Sequence, residues 1–163
     1  MPCAGAEAFL VCREEAARAQ GWAHVRILAT IERHNAYPDD PIQIRDGWAI
    51  DVDEFWAMAD VRPADVDFVE TYDDYPIISM LQFEDLGFCS KGESPQFVRS
   101  HSLTNGGSFP HNTCGGQLSV GQAGAAGGYL GLVEANRQLT GKVLGEQVPD
   151  AHRPGIRLRH DQL

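Results

Sequence analysis

Short apolar runs alternate with amphipathic stretches along most of the chain. Residues 4–12 are apolar enough for a buried strand. Residues 14–20 read as a short helix, with acids in the first turn and Gly21 as the stop. Residues 24–32 return to a β-rich run through Val25, Ile27, Leu28 and Ile31. Residues 35–47 hold Pro38, Asp39, Asp40, Pro41 and Gly47, which predicts a loop. A short helix follows over 53–60, with Asp51 or Asp53 as cap and Phe55, Met58 and Ala59 facing inward. Pro63 ends it, and residues 65–72 supply the next strand through Val66, Phe68 and Val69.

Past this strand the chain is charged and aromatic, Tyr72-Asp73-Asp74-Tyr75-Pro76, and proline early in a helix with Asp before it predicts a helix start. That helix runs through Ile77, Ile78, Met80, Leu81 and Leu86 to Gly87. An irregular stretch over 89–107 carries Lys91-Gly92-Glu93-Ser94-Pro95. Another strand leads into Asn112, a glycine-rich loop follows, and a helix continues to Leu139. Residues 156–158 form a last strand. The order strand–helix–strand predicts an α/β fold with helices on both faces of a sheet. Ligands in such sheets bind beyond the carboxyl ends of strands, where Tyr72-Asp73 and residues 112–122 would lie.

The glycine loop is the richest feature. Residues 112–128 contain six glycines, and a helical pattern follows at once. Glycine lets the backbone take positive φ and approach a ligand, and a loop that opens a helix aims free N–H groups at what lies before it. The spacing of Gly121, Gly124 and Gly127 is neither the dinucleotide fingerprint nor the phosphate loop of nucleotide hydrolases. An anion or oxyanion site and a tight packing turn both remain open. Cys114 lies in the loop, where backbone N–H groups would lower its thiol pKa, or where it simply fills a turn.

Composition narrows the classes. A length of 163 residues predicts one domain, and 43% hydrophobic with 22% charged residues fits a globular protein. A net charge of −10 argues against a nucleic-acid partner, although Arg153, Arg157 and Arg159 form a small basic group near the end. No run approaches the length of a membrane span, and no secretory signal pattern opens the chain. Cys3, Cys12, Cys89 and Cys114 form no Cys-x-x-Cys, so no metal site is expected, and free thiols suggest a reducing cytoplasm. Lone His101 and His111 read as structural or exposed groups.

Several ordered blocks carry a resemblance: Val69-Glu70-Thr71-Tyr72-Asp73-Asp74-Tyr75; Phe83-Glu84-Asp85-Leu86-Gly87-Phe88-Cys89-Ser90-Lys91-Gly92-Glu93; Asn112-Thr113-x-Gly115-Gly116-x-Leu118-Ser119-x-Gly121; and Val133-Glu134-Ala135-x-Arg137-Gln138-Leu139. Together with the opening Gly5-Ala6-Glu7-Ala8-Phe9-Leu10-Val11, they resemble the C-terminal half of thiolases. The subgroup of sterol-carrier-protein-X-type thiolases and thiolase-like steroid side-chain aldolases is the most similar. The resemblance implies a thiolase-fold C-terminal half with a mixed sheet, over residues 1–150, and a divergent tail over 151–163. It implies acyl-CoA enzymes of lipid metabolism, acyltransferases or aldolases, with a coenzyme A thioester as substrate and no tightly bound cofactor.

In that family the reactive cysteine belongs to the first half, and Cys114 does not match its motif. The resemblance therefore implies a need for a thiolase N-terminal half or homologous subunit, in a dimer or complex, with a small acyl-CoA-binding OB-fold protein as a further partner. A split-enzyme subunit, a fragment and a truncation at an internal Met are the alternatives. Tyr72, Asp73 and Gln122 are the expected catalytic positions, and Asn112, Cys114, Gly115, Gly116 and Gly121 the substrate-binding ones. Gln122 stands where the family usually carries His. An amide donates a hydrogen bond but does not take up a proton near neutral pH, which suits retro-aldol cleavage better than thiolysis. Asp73 reads as a helix cap or as a base, and Tyr72 as a strand-end aromatic or as a donor to an enolate oxygen. A non-catalytic pairing subunit is the competing reading.

Overall fold

A computed structural model describes residues 3–121 and 124–151. Helices dominate them: α1 Glu14–Ala19, α2 Val52–Ala59, α3 Pro76–Asp85, α4 Ser94–Ser100, α5 Gly116–Val120 and α6 Leu130–Thr140. Four of these fall where the apolar period and the end signals put them. In α1, Glu14 and Glu15 occupy the first turn and Arg18 the last, so charges oppose the helix dipole at both ends. α2 ends with Asp60 in the left-handed conformation, which lets the amides of Asp60 and Val61 reach back to the carbonyls of Ala57 and Trp56. The Asp51 carboxylate does not cap this helix; it pairs with Arg33 at 2.5 Å. α3 starts on Pro76 and closes through Gly87, at φ +82°, with Phe88 N–H donating to the Phe83 carbonyl.

α4 corrects the expectation of an irregular stretch over 89–107. Pro95 sits in its first turn, and the Ser94 amide and hydroxyl both donate to Glu84 Oε1 at 3.1 and 2.6 Å. Lys91 reaches back to Glu84 and Asp85, so the Lys91–Glu93 turn staples α4 to the end of α3. The Arg45 guanidinium lies 3.7 Å above the Tyr37 ring and pairs with Asp40, which fixes the loop before α2.

The expected mixed sheet is not formed among the described residues. One parallel bridge joins Val69 to His111, through Val69 N–H to the Pro110 carbonyl and Asn112 N–H to the Val69 carbonyl, both 3.0 Å. The next rung would pair Thr71 N–H with the Asn112 carbonyl. Asn112 takes φ +46°, which turns that carbonyl away, and its side-chain Oδ1 accepts from Thr71 N–H at 2.8 Å instead. Residues 4–12 and 24–32 form no regular element and are largely exposed, with Leu10 and Ile27 facing solvent. Their apolar pattern predicts strands, but a strand is stabilised by a neighbour that satisfies its N–H and C=O groups. The last strand over 156–158 and the basic group Arg153, Arg157 and Arg159 lie outside the described residues. Among the described residues no helix is long and apolar enough to cross a membrane.

The packed centre is aromatic. Phe83 on α3 is 1% exposed and meets Phe97 of α4, Phe109 and His111 at ring-centroid distances of 5.8, 5.4 and 4.9 Å. Phe88 joins through Phe109, and Trp56 of α2 joins through Phe88 while donating Nε1–H to the Leu86 carbonyl at 3.0 Å. This cluster places His111, and with it the start of the glycine loop, against α3.

Candidate functional site

The Val69–His111 bridge brings two distant segments together, residues 69–73 and 111–117. Burial holds the His111 imidazole down to about 4, with the Asp73 charge pulling the other way. Its Nε2 lies 2.7 Å from the Thr71 hydroxyl, which donates to Ser79 at 2.9 Å. His111 is thus a neutral structural group. Gln82 of α3 clamps the backbone of Tyr72 on both sides, accepting from its N–H at 3.2 Å and donating to its carbonyl at 2.8 Å.

Asp73 caps a helix, though not the one that follows it. Its Oδ1 accepts from Gln117 N–H at 2.7 Å, in the first turn of α5, while α3 begins without a side-chain cap. Gly115 and Gly116, at φ +94° and +64°, turn the chain into α5. A Cβ on Gly116 would stand 2.1 Å from Asp73 Oδ2, so glycine here makes room for the carboxylate. Asp73→Asn keeps the shape and weakens a charge-assisted bond, and the expected cost is about 1–2 kcal/mol. Urea unfolding measures it; an unchanged midpoint would show that the bond contributes nothing.

The loop amides face the protein's own acceptors. Thr113 N–H donates to Glu70 Oε1 at 3.0 Å, Gly115 N–H to the Asn112 carbonyl at 2.6 Å, and Gly121 N–H to the Gln117 carbonyl at 3.0 Å. With Gln117 on Asp73, these donors are engaged, which differs from the expected array aimed at an incoming anion. At Cys114 the lowered thiol is not found, which leaves the reading of a residue that fills the turn. Burial pushes its thiol up, the Gly116 amide opposes this, and the charges of Glu70 and Glu134 add to it. Two buried polar atoms nearby have no hydrogen-bond partner, Asn112 Nδ2 and Gln117 Oε1.

Sequence reasoning missed the acidic layer beneath the loop. Glu70 and Glu134 converge on the Thr113 hydroxyl, and Glu134 also accepts from Gln138 Nε2 at 3.0 Å. Gln138, fully buried, accepts from Val148 N–H at 2.9 Å and donates to the Glu146 carbonyl at 3.1 Å. Burial pushes the Glu70 carboxyl up to about 7; the two hydrogen bonds from Thr113 oppose the shift, and Glu134 and Asp73 reinforce it. The available signal was positional. Glu134 and Gln138 share a helix face with Leu130, and polar groups on an apolar stripe point to a buried network.

A cavity of ≈ 520 Å³ lies beside this layer, between residues 61–72 and α6. Val66, Phe68, Leu132 and Leu139 make it apolar, and Glu70, Tyr72 and Gln117 are polar members of its wall. Tyr72 is 40% exposed. The structure therefore gathers Tyr72, Asp73, Asn112, Cys114, Gly115 and Gly116 at one place, with Gly121 at the far end of α5. Gln122 lies outside the described residues.

A glycine turn clamped by a distant Asp, with α6 packed against the Glu70 that holds Thr113, defines the site. The thiolase C-terminal domain-like family matches residues 34–156, and the chain belongs to it. The benzoylsuccinyl-CoA thiolase subunit BbsB of Thauera aromatica is 31% identical over 162 residues, 96% of this chain and 41% of that protein. The 17-hydroxy-3-oxo-4-pregnene-20-carboxyl-CoA lyase of Mycobacterium tuberculosis is 41% identical over 88 residues, 54% of this chain and 22% of that one. The solved Ltp2-ChsH2(DUF35) aldolase superposes with a TM-score of 0.52 at 30% identity, covering 59% of this chain and 24% of that one. The chain thus spans less than half the length of these relatives.

Proposed function

We propose that this chain is the C-terminal part of a thiolase-like catalyst acting on coenzyme A thioesters, by acyl transfer or retro-aldol cleavage, together with a thiolase N-terminal half or homologous subunit. Tyr72 carries the reading: its ring stands on the wall of an apolar cavity beside the glycine turn, in a family whose named relatives act on acyl-CoA compounds. Its phenol donates to a carbonyl or enolate oxygen. Gln122 in place of the family's histidine favours cleavage of a carbon–carbon bond over thiolysis. The two-component Ltp2-ChsH2(DUF35) aldolase among the similar structures supports a further partner, which this reading takes to be the small acyl-CoA-binding OB-fold protein. Asn112, Cys114, Gly115 and Gly116 shape the turn, and Gly121 closes α5.

The captured loop amides favour a second reading, a thiolase-fold subunit kept for pairing. The exposed apolar run at residues 9–11 and the exposed Ile27 supply surface for it. One experiment separates the two. The chain is mixed with a cysteine-bearing thiolase first half from the same genome, and complex formation and coenzyme A thioester cleavage are followed together. A stable complex with turnover is expected. Tyr72→Phe in that complex should lower kcat by about 10²–10⁴ without loosening assembly. Assembly without thioester binding leaves the pairing role, and neither assembly nor binding refutes both.

A further inference from the structure

The Thr113 hydroxyl has one proton to donate, yet it lies 2.7 Å from Glu70 Oε1 and 3.0 Å from Glu134 Oε1. Each of these oxygens already receives one amide hydrogen, from Thr113 N–H and from Gln138 Nε2. If both carboxyls were ionised, one of the two contacts to the hydroxyl would be a bare approach of two acceptors inside the protein. We infer that Glu70 and Glu134 share a single proton through the Thr113 hydroxyl, and that this proton fixes the position of the turn from Asn112 to Gln117. Both are positioning residues for the site described above; the inference rests on that site only in giving the turn a purpose.

The surroundings fit a retained proton. Glu134 is 3% exposed. The ionisable groups that bear on Glu70 are Glu134 of α6 and Asp73 at the end of its own segment, both acidic, and the Cys114 thiol lies beside the pair. α6 presses close on Glu70: a Cβ on Gly131 would meet Glu70 Cβ at 3.0 Å. Two like charges in such a space repel strongly, and holding one proton removes the repulsion. Glu70 then accepts or donates along one line, carboxyl–hydroxyl–carboxyl, and the Thr113 backbone is held by the same oxygen.

The proton has a measurable signature. A carboxyl that keeps its proton when folded, up to about 7 for Glu70, lowers stability as pH rises from its unfolded value near 4.5 towards 7. His111 works with the opposite sign: held down to about 4, it adds stability as pH rises towards its unfolded value of 6.5. The readout is therefore the difference between wild type and variant, in which His111 cancels. Glu70→Gln and Glu134→Gln each place a neutral donor where the shared proton was. Each variant should gain stability over wild type progressively between about pH 5 and 7. Thr113→Val should lose the turn, with Thr113→Ser restoring it. Carbon-13 carboxyl shifts of Glu-labelled wild type give the same answer without a variant: one Glu signal should titrate near neutral pH. If both Gln variants track wild type in parallel across pH, or every Glu signal titrates below about pH 5, the shared proton does not exist. None of these measurements involves coenzyme A or a partner, so this inference and the functional reading stand or fall separately.

Discussion

Gly116→Ala is expected to cost about 3.5–7 kcal/mol, although it adds one methyl group. Three effects add up. The residue sits at φ +64°, where an L side chain is strained by about 1 kcal/mol. Its Cβ would stand 2.1 Å from Asp73 Oδ2, 2.6 Å from Asp73 Cγ and 2.7 Å from Asn112 Nδ2. Asp73 is 6% exposed and bonded to Gln117 N–H, and Asn112 is 8% exposed and bonded to Thr71 N–H, so neither side chain is a loose end that swings aside. Moving Asp73 sacrifices a bond to a charged acceptor, about 1.5–3 kcal/mol, and overpacking adds about 1–3 kcal/mol. Gly92 supplies the control for strain alone, because it has φ +85° and nothing within 4 Å of an added Cβ. Gly106→Ala, with open space and ordinary φ, should be close to neutral. Urea midpoints at constant m-value rank the three. Should Gly116→Ala unfold no earlier than Gly92→Ala, the close approach of Asp73 to the turn is wrong.

That ordering shows which parts of the site were readable from residues. Glycine at 115 and 116 announces a turn with unusual backbone, and both take positive φ. The strand expected to end at Tyr72 is reduced, among the described residues, to the single Val69–His111 bridge, so Tyr72 and Asp73 follow a bridge and not a strand end. What the turn does with its amides was not readable. Their acceptors, Glu70 and Asp73, lie more than forty residues upstream, and nothing local ties Thr113 to Glu70 or Gln117 to Asp73. The same holds for the fold. α1, α2, α3 and α6 carry their own evidence in apolar period and in end residues such as Glu14, Pro76, Gly87 and Gly141. α4 spans seven residues with Phe97 and Val98 as its apolar members, too short for a period, and its start is set by Glu84 from another helix. Residues 4–12 and 24–32 have strand-like composition but no ladder, since pairing depends on what lies alongside. Local signals settle local elements; contacts across the chain settle the rest.

The aromatic centre should behave as the mechanical anchor of this arrangement. Phe83→Ala is expected to destabilise by about 3–5 kcal/mol, or about 6–20 °C in melting temperature for a chain of this size. Phe83 is 1% exposed and, among the described residues, is the one ring in contact with Phe97, Phe109 and His111 together. Removing it opens a cavity whose walls belong to three different segments, so collapse of one wall pulls on the others. The His111 ring, edge-on to Phe83 at 4.9 Å, would lose the contact that seats it, and Asn112 and the glycine turn follow directly in sequence. The substitution should therefore loosen the Asp73–Gln117 clamp as well as the core. Hydrogen exchange at Gln117 N–H reads this directly and should accelerate in Phe83→Ala beyond the change in global stability. Ile27→Ala, at a side chain 61% exposed, should leave both readouts within about 0.5 kcal/mol of wild type. Equal effects at Phe83 and Ile27 would mean that the packed centre lies elsewhere. A large effect on stability with no change at Gln117 would mean that the turn is positioned by Glu70 and Asp73 alone, independently of the aromatic layer behind it.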